Sequence, residues 1–308
     1  MYDRSHSSER RAGRRRSGAA FLACVLAVSL AACFKVASPE ASPAAGPLTQ
    51  APDGRPLQMT FDDEFDSFRP WRNGHGVWRT MFKDGRSDDP VELRTISGNH
   101  ELQLYVDPTM PVGVSGSVEA AAALDPFVID NGVLEIIARP TPPGLTRALS
   151  GFRYTSGLIT TQPSFSQTYG YFEMRAKLPR GKGVWPAFWL LPSDLGWPPE
   201  IDVMESIGDP AFVWTTAHSK VDKTPGVKHQ VAPDVFHTFA VSWDAKQIVW
   251  FVDGREVNRQ PTPPDMHKPM YLLANVAVGG DWPGAPDAST TFPARMSIDY
   301  IRAYRFAP

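Results

Sequence analysis

The stretch Ala240-Val-Ser-Trp-Asp-Ala-Lys-Gln-Ile-Val-Trp-Phe-Val252 reads as two strands joined by a tight turn. β-Branched and aromatic residues fill both halves, and Asp244 to Lys246 supply the break. Asp253-Gly254 then opens another turn. Similar short runs recur outward in both directions: Leu102–Val106, Val133–Ala138, Gly170–Lys177, Met270–Val278 and Met296–Tyr304. No long helical periodicity and no internal repeat interrupts them. Spaced strands over about 250 residues imply a single-domain antiparallel β-sandwich.

Composition agrees. The chain has 308 residues, 42% of them hydrophobic, with 9 Trp and 17 Phe, which is enough for one large core. Pro (30) and Gly (24) are abundant, as many turns require. Removing residues 1–32, which carry six Arg against Asp3 and Glu9, leaves 25 basic and 31 acidic residues. That balance argues against a nucleic-acid or anionic-membrane partner for the folded domain.

Residues 1–33 read as an export signal. Arg10 to Arg16 form a basic region, and Gly18 to Ala32 an apolar stretch too short for a mature membrane helix. The segment ends Leu30-Ala-Ala-Cys33, which resembles a bacterial lipobox with Cys33 as the lipidation site. Plain secretion with cleavage near Ala32 is the other reading. The protein is thus expected to be a membrane-anchored lipoprotein, periplasmic or at the cell surface, or else secreted. Its contact with a membrane would be through the lipid at Cys33 alone, and it is expected to be a monomer. Residues 34–57, rich in Pro, Ala and Ser, read as a disordered spacer. The folded domain is placed at 58–308. It contains no Cys, so disulfides, thiol nucleophiles and zinc–thiolate sites are excluded there.

Upstream of the hairpin lies Glu200-Ile-Asp-Val-Met-Glu205, three carboxylates within six residues. Crowded carboxylates repel and are costly to bury, so stability does not explain the cluster. In a strand Glu200 and Asp202 share a face, but Glu205 falls one residue late. A flat strand would aim Glu205 into the core. A one-residue β-bulge at Val203-Met204 would return it to the face of the other two. Two Glu on one face could approach to roughly 5–5.5 Å, the separation used by a retaining glycosidase. One would attack the anomeric carbon and the other would serve as acid and base. Asp202 between them would help set which stays ionised.

The hexapeptide resembles the Glu-x-Asp-x-x-Glu signature of glycoside hydrolase family 16, in its laminarinase-like branch. Supporting stretches are Phe61–Asp66, Asn99–Tyr105, Gly170–Pro179, Gly183–Pro192, Ala274–Gly284 and Ile298–Tyr304, so the resemblance covers residues 58–306. It implies a β-jelly-roll with a concave substrate cleft. It also implies Glu200 as nucleophile, Glu205 as acid/base and Asp202 as the assisting carboxylate. The expected activity is retaining endo-hydrolysis of internal β-1,3 or mixed β-1,3-1,4 linkages of a polysaccharide by double displacement. A bacterial exopolysaccharide depolymerase of the succinoglycan type and a transglycosylase stay open as alternatives. A non-catalytic glucan-binding lectin is disfavoured, because both Glu are present.

Trp185 and Trp189 are four apart and share a strand face. Trp185 is a candidate sugar platform, while Trp189 is balanced between cleft and core. His218, on the expected next strand, is placed in the cleft as a partner for the acid/base Glu. Asn99, Asn275, Trp282 and Arg175 complete the candidate substrate contacts. Glu101 and Glu173 are read as structural hydrogen-bonding groups. No cofactor is expected for catalysis. The resemblance implies a possible structural Ca²⁺ with Asp299 and, less directly, Glu64 as ligands.

Overall fold

The computed structural model describes residues 46–82, 91–109 and 124–308. The expected export signal, with Cys33, lies outside the described residues. The strands are β1 (Leu57–Asp63), β2 (Gln103–Tyr105), β3 (Phe127–Asp130), β4 (Val133–Pro140), β5 (Tyr154–Ser156), β6 (Leu158–Thr160), β7 (Gly170–Lys177) and β8 (Val184–Pro192). They continue as β9 (Glu200–Glu205), β10 (Phe212–His218), β11 (Val227–Gln230), β12 (His237–Trp243), β13 (Gln247–Val252), β14 (Arg255–Pro261), β15 (Met270–Val278) and β16 (Ala294–Phe306).

They form two sheets. The larger runs β14-β13-β12-β7-β16-β4-β5-β2, with β1 added on β16 and β3 on β4. The smaller runs β11-β10-β9-β8-β15-β6. Pairing is antiparallel except between β2 and β5. The result is an all-β antiparallel jelly-roll sandwich with its cleft on the smaller sheet. The expected hairpin is β12–β13, closing at Trp243 opposite Ile248. Asp253 and Gly254 both adopt positive φ (50° and 70°), the requirement of the two-residue turn that joins β13 to β14. Among the described residues no helix is long and apolar enough to cross a membrane.

The period-2 alternation of each strand decides what fills the core. Phe172, Met174 and Ala176 of β7, with Phe239, Val241 and Trp243 of β12, point inward from the larger sheet. They meet Phe188 and Leu190 of β8, Ile201, Val203 and Met204 of β9, and Leu272, Ala274 and Val276 of β15. Burying each large apolar side chain contributes about 1.5–3 kcal/mol before chain entropy is charged against it.

The boundary placed at residue 58 is too late. Ala51 and Leu57 are buried against Tyr171, Ala240, Val249, Phe251 and Tyr304 on the outer face of the larger sheet. Leu48 packs on the same cluster, and its N–H donates to the Tyr304 hydroxyl at 3.2 Å. Pro and Ala content suggests a spacer here, but the apolar contacts of Leu48, Ala51 and Leu57 and the ion pair of Arg55 with Asp244 at 2.8 Å tie the segment to the sheet.

Trp250 ties the two sheets together. Its indole N–H reaches across the core from β13 and donates to the backbone carbonyl of Asp202 at 2.8 Å. Trp250→Phe leaves that buried carbonyl without its donor, at a cost of about 1–3 kcal/mol. Urea unfolding should show a midpoint lowered accordingly, and an unchanged midpoint would contradict the role given to this bond.

Candidate active site

β9 carries the three acids, and its pairing is irregular on both sides. Against β10, Glu205 faces Trp214 and Asp202 faces Thr216, so Val203 and Met204 together oppose one residue. Against β8, Met204 faces Phe188 and Asp202 faces Trp189, and Val203 is the extra residue. This is the bulge expected from the spacing. Ile201, Val203 and Met204 all enter the core, and Glu200, Asp202 and Glu205 emerge on the cleft face.

Each acid meets a different environment. Glu205 is 9% exposed and accepts a hydrogen bond from the Trp185 indole at 2.9 Å. Burial, then the charge of Glu200, pushes its carboxyl up to about 8. Glu200 is half-buried and accepts from the Trp197 indole at 2.6 Å. Asp202 is fully enclosed, with Oδ2 3.0 Å from Nε2 of His218. That contact lies at ion-pair distance but off the hydrogen-bonding direction, and Asp202 Oδ2 makes no hydrogen bond. Burial raises Glu200 and Asp202 well above the usual carboxylate range. The neighbouring carboxyls add to this, and the two share a carboxyl–carboxylate contact. Donors favour the ionised form of Glu200. It has the Trp197 N–H and the nearby His218, whereas the imidazole stands out of line with Asp202 Oδ2.

Around Glu205 runs an aromatic wall. Trp185 meets Trp282 edge-to-face at 5.6 Å between ring centres, and Trp282 meets Trp214 in the same way at 5.2 Å. Trp282 is 41% exposed, a side chain of the size and exposure that a sugar ring stacks against. The loop carrying it depends on Gly280 (φ +118°), where a Cβ would sit 3.1 Å from the Asn99 carbonyl and 3.2 Å from the Trp185 ring. The Asn99 carbonyl accepts the Asp281 N–H at 2.9 Å, fixing the loop.

Several expected contacts fall elsewhere. His218 stands opposite Glu200 in register and reaches Asp202, so it is not the partner of Glu205. Asn99 lies in a 3₁₀ turn, and its side chain donates to Glu101 at 3.1 Å. Trp189 faces the cleft side but is covered by Phe82 and Tyr105. Its indole donates to Asn275, whose amide donates to the Tyr105 hydroxyl, so both are structural. Arg175 is on β7, in the opposite sheet, on the face away from the core, and pairs with Asp299 at 2.6 Å. It cannot contact a sugar in the cleft. Glu173, on the same outward face, accepts from the Tyr171 and Tyr300 hydroxyls, as its structural reading requires.

That Arg175 pair also bears on calcium. Asp299 is engaged by one guanidinium, and Glu64 by the bidentate guanidinium of Arg302. The positive charge a calcium ion would supply is already provided at both carboxylates. These side chains do not fit a calcium site.

Sequence reading missed Trp197 and Trp214. Trp214 shares strand parity with His218, so alternation alone could have flagged it. Trp197 sits in a Pro-rich loop, where no periodicity predicts direction.

The model of glycosyl hydrolases family 16 matches residues 127–302. The endo-1,3-1,4-beta-glycanase ExsH of Rhizobium meliloti is 43% identical over 253 residues, covering 80% of this chain and 52% of that protein. The endo-1,3-1,4-beta-glycanase EglC of the same organism is 40% identical over 268 residues, covering 84% and 54%. The chain thus spans about half the length of these two relatives. The crystal structure of endo-beta-1,3-glucanase from Pyrococcus furiosus superposes with a TM-score of 0.68 at 31% identity, covering 85% of this chain and 99% of that one.

The crowded acids should make stability fall with pH. The folded state holds a proton on Glu205 up to about 8, whereas the unfolded chain releases it near 4.5. Between those values the folded state binds more protons, so stability declines as pH rises. Glu205→Gln removes part of this decline. Its melting temperature should exceed that of the wild type at pH 8, with the gap narrowing towards pH 4. An equal gap at both pH values would contradict the raised carboxyl.

Proposed function

The chain belongs to glycosyl hydrolases family 16, and from that premise we propose that it is a retaining endo-β-glycanase of β-1,3 or mixed β-1,3-1,4 glucans. The observation that carries the reading is the bulge, which puts Glu200 and Glu205 on one cleft face in unlike environments. The names of its relatives support a β-glucan as substrate. Trp282, Trp185 and Trp214 offer stacking faces beside Glu205, suited to pyranose rings.

The chemistry follows from the protonation states. Glu200, supported as a carboxylate by Trp197, attacks the anomeric carbon while Glu205 gives its proton to the departing glycosidic oxygen. The C–O bond to the leaving chain breaks as the bond to Glu200 forms. The ionised Glu205 then takes a proton from water. The resulting oxygen nucleophile displaces Glu200 and returns it as carboxylate. Two displacements at one carbon restore the β configuration. Asp202, fully enclosed beside Glu200, is placed to respond to the change of charge on Glu200 through each displacement. The raised carboxyl of Glu205 suits a group that must be protonated near neutral pH before it can act.

The basic and apolar N-terminal stretch supports export, and Leu30-Ala-Ala-Cys33 supports a lipid anchor at Cys33. The acidic balance of the remaining chain fits a neutral polysaccharide partner better than nucleic acid.

Laminarin, mixed-linkage glucan and a succinoglycan-type exopolysaccharide form the deciding panel, with reducing ends as the readout. Wild type should release oligosaccharides from at least one of them, with the β anomer appearing first by NMR. Glu200→Gln should lose about 10³-fold or more in kcat. Equal release by wild type and Glu200→Gln would remove the catalytic assignment.

A further inference from the structure

We propose that Glu200, Asp202 and His218 form a site for a divalent transition ion of the zinc class, whose occupation blocks the cleft. One donor atom from each residue lies within 4.8 Å of the other two. The β9–β10 pairing holds them there, with His218 opposite Glu200 and Thr216 opposite Asp202.

Two observations beyond crowded acid point to a cation. Asp202 Oδ2 is buried and makes no hydrogen bond, so it retains lone pairs aimed into the cluster. The imidazole Nε2 stands 3.0 Å from it, too far out of line to donate, but close enough for both atoms to bind one ion. Zinc takes imidazole nitrogen and carboxylate oxygen at about 2.0–2.2 Å, which places tetrahedral ligands roughly 3.4 Å apart. Two carboxylates and one imidazole suit zinc, whereas magnesium and calcium prefer oxygen-only shells. His218 is half-exposed, so an ion can enter from solvent.

A bound ion would occupy the Glu200 lone pair that attacks the sugar. Inhibition therefore rests on the glycanase reading, whereas ion binding does not. Calorimetric titration of zinc chloride into the untagged full chain separates the two. One ion per chain should bind, magnesium should give no heat, and His218→Ala should weaken zinc binding on the order of tenfold or more. Zinc affinity unchanged in His218→Ala of wild-type circular dichroism overturns the site. His218→Gln serves the same purpose should the alanine variant not fold. With binding established, zinc should suppress glucan cleavage by wild type, and unimpaired cleavage by the zinc-loaded protein overturns the blocking role. Zinc binding in a protein without glycanase activity would support the site and contradict the proposed function.

Discussion

The whole site depends on a two-for-one mismatch in β9. Strict alternation allows a strand to send only every second side chain to each face. β9 must bury Ile201, Val203 and Met204 and also present Glu200, Asp202 and Glu205 to the cleft. Only the extra residue at Val203–Met204 reconciles the two demands. A bulge disturbs the local ladder, and the carbonyl of Asp202 beside it finds its partner in the Trp250 indole. That donor comes from the opposite sheet. The aim of the acids is therefore set by the packing of the entire sandwich, not by β9 alone.

Three crowded carboxylates, two of them buried, are a liability that stability does not explain. Burial and mutual repulsion raise each of them, but the donors around them are unequal. Indole N–H groups serve Glu200 and Glu205, and Asp202 Oδ2 has none. On the proposed mechanism, that inequality is what separates the attacking acid from the one that holds a proton. Trp185 thereby does more than a sugar platform would, because its N–H also fixes the orientation of Glu205.

Much of this was legible from residue order. The β12–β13 hairpin follows from branched and aromatic runs around a turn, and the bulge from an acid one position late. Trp282 is a cleft candidate by residue type and Trp185 by the resemblance of the stretch around it, and the two rings meet beside Glu205. What failed required knowledge of which sheet a strand joins. Arg175 sits between apolar residues in a good strand pattern, yet β7 lies in the sheet opposite the cleft. Trp189 and Asn275 do face the cleft side, but Phe82 and Tyr105 cover them from distant parts of the chain. Neither sheet membership nor long-range covering is written into local periodicity. The same holds for Ala51 and Leu57, whose partners come from residues 171 to 304.

Glu200 and Glu205 are proposed to act on one anomeric carbon as nucleophile and acid/base. Azide rescue of Glu205→Ala on an activated aryl β-oligoglucoside tests it most directly. The variant should form its glycosyl-enzyme unaided, since such a leaving group needs no proton, and azide should then displace Glu200 to give the β-glycosyl azide. An α-glycosyl azide from this variant would mean that azide had taken the nucleophile's place, and would contradict the assignment of the two acids.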